Sequence, residues 1–166
     1  TFSITLTLIP IVVGSALYGW GSGAWLGFVF GVTVLLTGDA NLFLAVNIPG
    51  TIITVILKGA LAGAAAGFVY KLISKKNQIA AVIVSAVVAP VVNTGIFVLG
   101  SYVFFFDYLS GLAEGTNLFV FILVGLVGIN FFIELGINLV LNPAILQIIR
   151  IGKKNFGGKN QIIKTK

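Results

Sequence analysis

Four polar side chains, Asn130, Glu134, Asn138 and Asn142, recur at every fourth position of the otherwise apolar run GINFFIELGINLVLNPAI, residues 128–145. A carboxylate set among carboxamides can hold a small hydrophilic molecule through several hydrogen bonds, or carry a proton. Each four-residue step along a helix turns by about 40°, so the stripe spreads over roughly 120° of one face. Two further polar residues interrupt apolar runs elsewhere: Lys58 in TVILKGALAG and Asn93 in APVVNTGIF. Among charged residues, Lys58 and Glu134 alone fall deep inside such runs.

The setting makes these residues costly. Hydrophobic residues form 58% of the chain and charged residues 8%, with a mean hydropathy of +1.15. Runs this dense are covered by lipid, which identifies an integral membrane protein. An ionisable group facing lipid at mid-membrane costs on the order of 2.5–3.5 kcal/mol, so the polar stripe must face protein or water. Histidine, cysteine and methionine are absent, which removes disulfides, thiolate nucleophiles, imidazole relays and the usual zinc or copper ligand sets. No nucleophile and base stand at useful spacing, so the chain is not read as an enzyme.

The elements that position the stripe are helices. Apolar segments run over roughly 3–20, 22–37, 50–73, 79–106 and 118–149, without strict two-residue alternation. A Gly-rich turn over 18–25, a loop over 37–50 ending at Pro49, the charged SKKNQ at 74–78 and a polar connection over 106–117 separate them. The last segment is too long for one crossing and is expected to tilt or break near LNPA, where Pro143 discourages helix in Asn142. The fold class is therefore an all-α membrane bundle. Counted along straight helices, Lys58 lies about 12 Å below the acidic surface, Asn93 and Asn130 about 18 Å, and Glu134 about 24 Å. Lys58, Asn93 and Asn130 can then line a pocket with Glu134 at its floor, and a direct Lys58–Glu134 ion pair is not expected. Each residue also has a structural reading: carboxamides bonding neighbouring helices, a protonated Glu134, or Lys58 snorkelling to the interface. Asn138 and Asn142 are expected to serve packing.

Cations set the orientation. Lys71, Lys75 and Lys76 crowd the 74–78 connection, and Arg150, Lys153, Lys154, Lys159, Lys164 and Lys166 fill the end of the chain. Asp39, Asp107 and Glu114 lie in the other connections. The positive-inside bias puts the Lys-rich loop and the C-terminus in the cytoplasm, which leaves Thr1 outside. That topology, with no Met at the start, leads us to expect six spans, five in this chain and the first missing upstream. Residues 1–151 read as the transmembrane bundle and 152–166 as a basic cytoplasmic tail meeting anionic lipid. The tail has neither a folded module nor interleaved aromatics, so no nucleic acid partner is expected.

Gly23, Gly27 and Gly31 repeat at four-residue spacing, as do Gly59, Gly63 and Gly67, making smooth faces for close helix packing, within the bundle in the favoured reading or against a partner helix in the alternative. Neither GxGxxG after a strand nor GxxxxGK[ST] occurs, so no cofactor is expected in this chain and any use of ATP falls to partners.

Four blocks, ALYGWGSGAWLGFVFGVTVLL, ILKGALAGAAAGFVYKLI, SAVVAPVVNTGIFVLGSYVFF and NFFIELGINLVLNPAI, together resemble the substrate-binding S component of an energy-coupling factor (ECF) transporter, in the branch serving pantothenate, folate and related vitamins. The resemblance runs from about Leu8 to Ile149 and lacks the family's first helix with its docking motif. It implies a six-helix vitamin-binding subunit of a bacterial cell membrane, with the ligand in the outer half beneath the connecting loops. It also implies a transmembrane T subunit and two cytoplasmic ATPases as partners. Within the family pantothenate suits the residues, its carboxylate meeting Lys58 and its hydroxyls and amide using Asn93 and Asn130. Folate or pyridoxine, and a self-sufficient proton-coupled carrier using Glu134, are the alternatives.

Overall fold

A computed structural model of the chain describes residues 8–163; the side chains of Asn130 and of residues 155–163 fall outside that description. The described residues form helices without a strand: α1 Leu8–Tyr18, α2 Trp20–Thr37, α3 Asn41–Val46, α4 Ile48–Ser74, α5 Gln78–Phe104, α6 Phe106–Leu112, α7 Leu118–Val120, a π-helical segment Phe121–Gly128, α8 Ile129–Val140 and α9 Asn142–Ile163. α2, α4 and α5 are each long and apolar enough to cross a membrane. The path from Leu118 to Val140 makes a fourth crossing if its two parts, bent by 43°, count as one. α1 is an apolar helix of 11 residues; the upstream part of the first expected span lies outside the described residues.

Local chemistry explains the boundaries. Gly19, at φ 95°, divides α1 from α2. The turn expected over 18–25 shrinks to that one residue, because apolar surroundings offer no water to backbone groups freed from a helix. Gly38 closes α2 in the left-handed conformation, at φ 86°. The Asn47 side chain caps α4 by accepting from the Gly50 N–H at 2.9 Å, and Pro49 sits in the first turn, where its missing N–H is harmless. Asn77 caps α5 by accepting from the Ile79 and Ala80 N–H groups at 2.9 and 3.1 Å. The break expected near LNPA falls at Leu141, and Asn142 opens α9 with Pro143 in its first turn.

α4 is the central helix, packed on α2 along one side and on α5 along another. The two glycine repeats meet there. A Cβ on Gly27 would fall on the carbonyl of Gly59, one on Gly23 on the carbonyl of Gly63, and one on Gly31 against the backbone at Val55 and Ile56. This is internal packing between antiparallel helices, close enough for backbone to touch backbone. Outside, large apolar side chains stand free: Leu36 is 82% exposed, and Val103, Val124 and Phe132 are each 70% exposed. Their natural solvent is lipid. The protein is an all-helical membrane bundle.

Gly27→Ala should lose about 1–3 kcal/mol by overpacking against backbone, despite the better helix propensity of alanine. Gly21→Ala, whose Cβ meets nothing within 4 Å, should hold or gain stability by up to about 1 kcal/mol. Denaturant unfolding in detergent micelles compares them, and equal effects would show that the seam is not tight.

Candidate functional site

The antiparallel register of α4 and α5 sets Gly50 against Phe104 and Thr54 against Gly100. One turn further along α4, the Lys58 ammonium stands over the Phe97 ring, 5.2 Å from its centroid. Asn93 follows Phe97 by one turn on the same face of α5. It is buried at 6% exposure, and its Oδ1 has no hydrogen-bond partner among the described residues. The buried Thr54 hydroxyl is unpartnered in the same sense. Leaving such a group unsatisfied costs about 1–3 kcal/mol, which a ligand or water could recover.

The Lys58 ammonium is buried, with the carboxylates of Glu134 and, more weakly, Asp39 within electrostatic range of it. Asp39 lies in the connection between α2 and α3, where its Oδ2 accepts from the Thr37 hydroxyl at 3.0 Å. Depths counted along straight helices separate Lys58 from Glu134; the structure brings Glu134 within its field. The 43° bend beyond Gly128 removes only about 2 Å of that depth, because Glu134 lies about one turn past it. Glutamate on a helix also leans toward the N-terminal end, here the end nearer Lys58.

A short helix covers this group. Phe43 of α3 meets Phe97 edge-on, with centroids 5.5 Å apart at 88°, and Phe105 at 5.0 Å and 75°. Phe105, Leu109, Ile122 and Val127 are buried together beneath it. The cap residue Asn47 ties the end of α3 to α5, its Nδ2 donating to the Phe104 carbonyl at 3.3 Å. The loop over 38–49 is therefore seated on the Lys58–Phe97 pair.

Of the four residues singled out in the sequence, the structure puts Glu134 within electrostatic range of Lys58 and Asn93 one turn from the Phe97 beneath the lysine. Asn130 stands on α8 one turn from Glu134, but its side chain lies outside the described residues. Tyr102 packs edge-on with Phe106 at 5.3 Å and is half exposed. Sequence reasoning missed Thr54 and Phe43. A threonine in an apolar helix ordinarily bonds its own backbone, and only the α4–α5 register reveals it.

A cation over an aromatic ring, a buried acceptor one turn along α5 and a short helix packed over them stand together within a lipid-covered bundle. The family model for the substrate-specific component of ECF transporters matches residues 1–146. The chain belongs to that family. No curated protein and no solved structure matches the chain. This S component is thus a small-molecule-binding subunit of a transporter rather than an enzyme, and its partners are the T and ATPase module of the ECF system.

Asn47→Ala should destabilise the S component by about 1 kcal/mol through loss of the α4 cap, and should speed amide hydrogen exchange in α3 by releasing its tie to α5. Unchanged exchange over residues 41–46 would mean that the Phe43 contacts alone seat the lid.

Proposed function

We propose that this S component binds pantothenate on the side of the membrane opposite its Lys-rich loop and hands it to an ATP-driven T and ATPase assembly. The observation that carries the reading is the pairing of Lys58 over Phe97 with the unpartnered Oδ1 of Asn93. A ligand suited to both needs an anionic group for the ammonium and a hydrogen-bond donor for the carboxamide. Pantothenate has a carboxylate, an amide N–H and two hydroxyls, and its dimethyl-substituted carbon suits the Phe43–Phe97 surface. Asn130, one turn from Glu134, is assigned to the same ligand.

Folate is the other acidic candidate. Phe43 packs edge-on with both Phe97 and Phe105, so it forms with neither a parallel pair between which a flat pterin could slide. Pyridoxine lacks the carboxylate that Lys58 calls for. In a proton-coupled carrier Glu134 would be the coupling group, whereas S components draw their energy from partner ATPases.

The Lys-rich loop and the C-terminus are assigned to the cytoplasm by the positive-inside bias. Few fixed charges and an apolar exterior suit a subunit that reorients in the bilayer.

Calorimetric titration of the purified protein with pantothenate, folate, pyridoxine, riboflavin and biotin tests the assignment. Pantothenate should bind, and Lys58→Ala should weaken it at least ~10-fold, the scale of one lost charge-assisted contact. No pantothenate binding, or unchanged affinity in Lys58→Ala, would overturn it. Glu134→Gln should keep most of the affinity, because Glu134 is assigned to balancing Lys58 rather than to gripping the ligand; complete loss in folded protein would reverse that role.

A further inference from the structure

The cations that the sequence gathers from Arg150 onward do not form one patch. The Lys153 ammonium stands over the Tyr70 ring, 5.0 Å from its centroid, near the side of α9 that buries Asn142, Ile145 and Ile149. Arg150 and Lys154, one turn apart and both exposed, project within about 40° of each other and away from the bundle.

Next to that basic pair, around the same helix, lies an apolar one. Ile148 and Ile151 are 49% and 53% exposed and project within about 60° of each other. Ile151 stands about 60° around the helix from Lys154, so the two pairs adjoin. The free surface of α9 is therefore half cationic and half apolar, with the boundary running along the helix.

Contacts fix the level of this surface in the bundle. A Cβ on Gly152 would fall 2.8 Å from the side chain of Leu17, in the last turn of α1. Tyr70 stands one turn before the end of α4 at Ser74. Residues 150–154 are thus level with the last turns of two helices, at the Lys-rich end, where hydrocarbon gives way to headgroups. Tyr18 and Trp20, 62% and 55% exposed, flank the α1–α2 turn at the same end, and such amphipathic rings settle at headgroup level.

We infer that this face of α9 binds an anionic phospholipid, with the phosphate paired to Arg150 and Lys154 and an acyl chain lying on Ile148 and Ile151. Charge complementarity calls for an anion from outside. α1, α4, α5 and α9 carry no acidic residue, and Glu134 of α8 is in range of Lys58 instead. A soluble phosphate or an acidic protein segment would answer the cations and leave the isoleucines uncovered; a lipid covers both halves at once. Lys153 docks α9 on Tyr70, so two cations rather than the whole basic tail carry the selectivity. Tyr70 is about 18 Å along α4 from Lys58, which separates this surface from the ligand site.

The full chain, reconstituted in phosphatidylcholine vesicles with a trace of spin-labelled lipid, tests the inference; electron spin resonance reads the fraction of label held at the protein. Labelled phosphatidylglycerol should be held several-fold more strongly than labelled phosphatidylcholine, since ~1 kcal/mol per Lys or Arg at an anionic lipid surface converts to about fivefold for each cation. Arg150→Gln with Lys154→Gln should bring the two lipids level. Lys75→Gln with Lys76→Gln removes the same charge from the α4–α5 connection and should keep most of the preference. Soluble glycerol phosphate at matched ionic strength should not displace the lipid. No preference in the native chain would overturn the inference and pass the cations to an acidic protein partner. A preference that survives loss of Arg150 and Lys154, that falls as far in the loop variant, or that glycerol phosphate abolishes would overturn it as well.

Discussion

Hydrocarbon cannot hydrogen-bond, and most of this structure follows from that. Backbone groups must satisfy one another, which leaves helices as the element for the apolar runs and shrinks the Gly-rich turn after Tyr18 to Gly19. Polar side chains must turn inward, which draws Asn93, Asn138 and Asn142 into the bundle at less than a tenth exposure. Interhelical hydrogen bonds contribute little net energy in lipid, about 0.6 kcal/mol each, so they do not hold the helices together. Where the interior leaves a polar atom unanswered, as at Asn93 Oδ1, the structure has accepted a cost that binding can recover.

Close packing holds the bundle instead, and the glycines decide its geometry. Gly59 and Lys58 are neighbours on α4, separated by about 100° around the helix axis. Seating Gly59 against Gly27 and Gly63 against Gly23 fixes the rotation of α4, and that rotation points Lys58 toward Phe97 on α5. A bulkier side chain in the seam would move α4 as a body and carry the ammonium off the ring. The seam thus positions the site without touching it.

These two levels were unequally legible in the sequence. Hydropathy and charge gave the long helices and their order, and the four-residue glycine repeats gave the seam. Lys58, Asn93 and Glu134 stood out because charge and carboxamide are conspicuous against leucine and valine. Their relation did not: the bend falls at the break between Gly128 and Phe131, where a glycine and Asn130 are as compatible with a straight helix as with a bent one. Phe43 was hidden for the opposite reason, being one phenylalanine among the chain's 14. Nothing but tertiary packing distinguishes it from those that face lipid.

The arrangement around Lys58 connects ligand charge to the lid. Glu134 is carried by a helix whose neighbours fix it, whereas Asp39 sits exposed in the connection leading into α3, held by a hydrogen bond from nearby Thr37. α3 in turn places Phe43 on Phe97. In the proposed reading an acid arriving at Lys58 adds a negative charge to a group that already contains two carboxylates. Like charges in a low-dielectric setting repel strongly, and the carboxylate that moves at least cost is the one on the exposed connection. On that reading a displaced Asp39 would shift the segment that carries Phe43, and the charge that selects the ligand would also act on the cover above it.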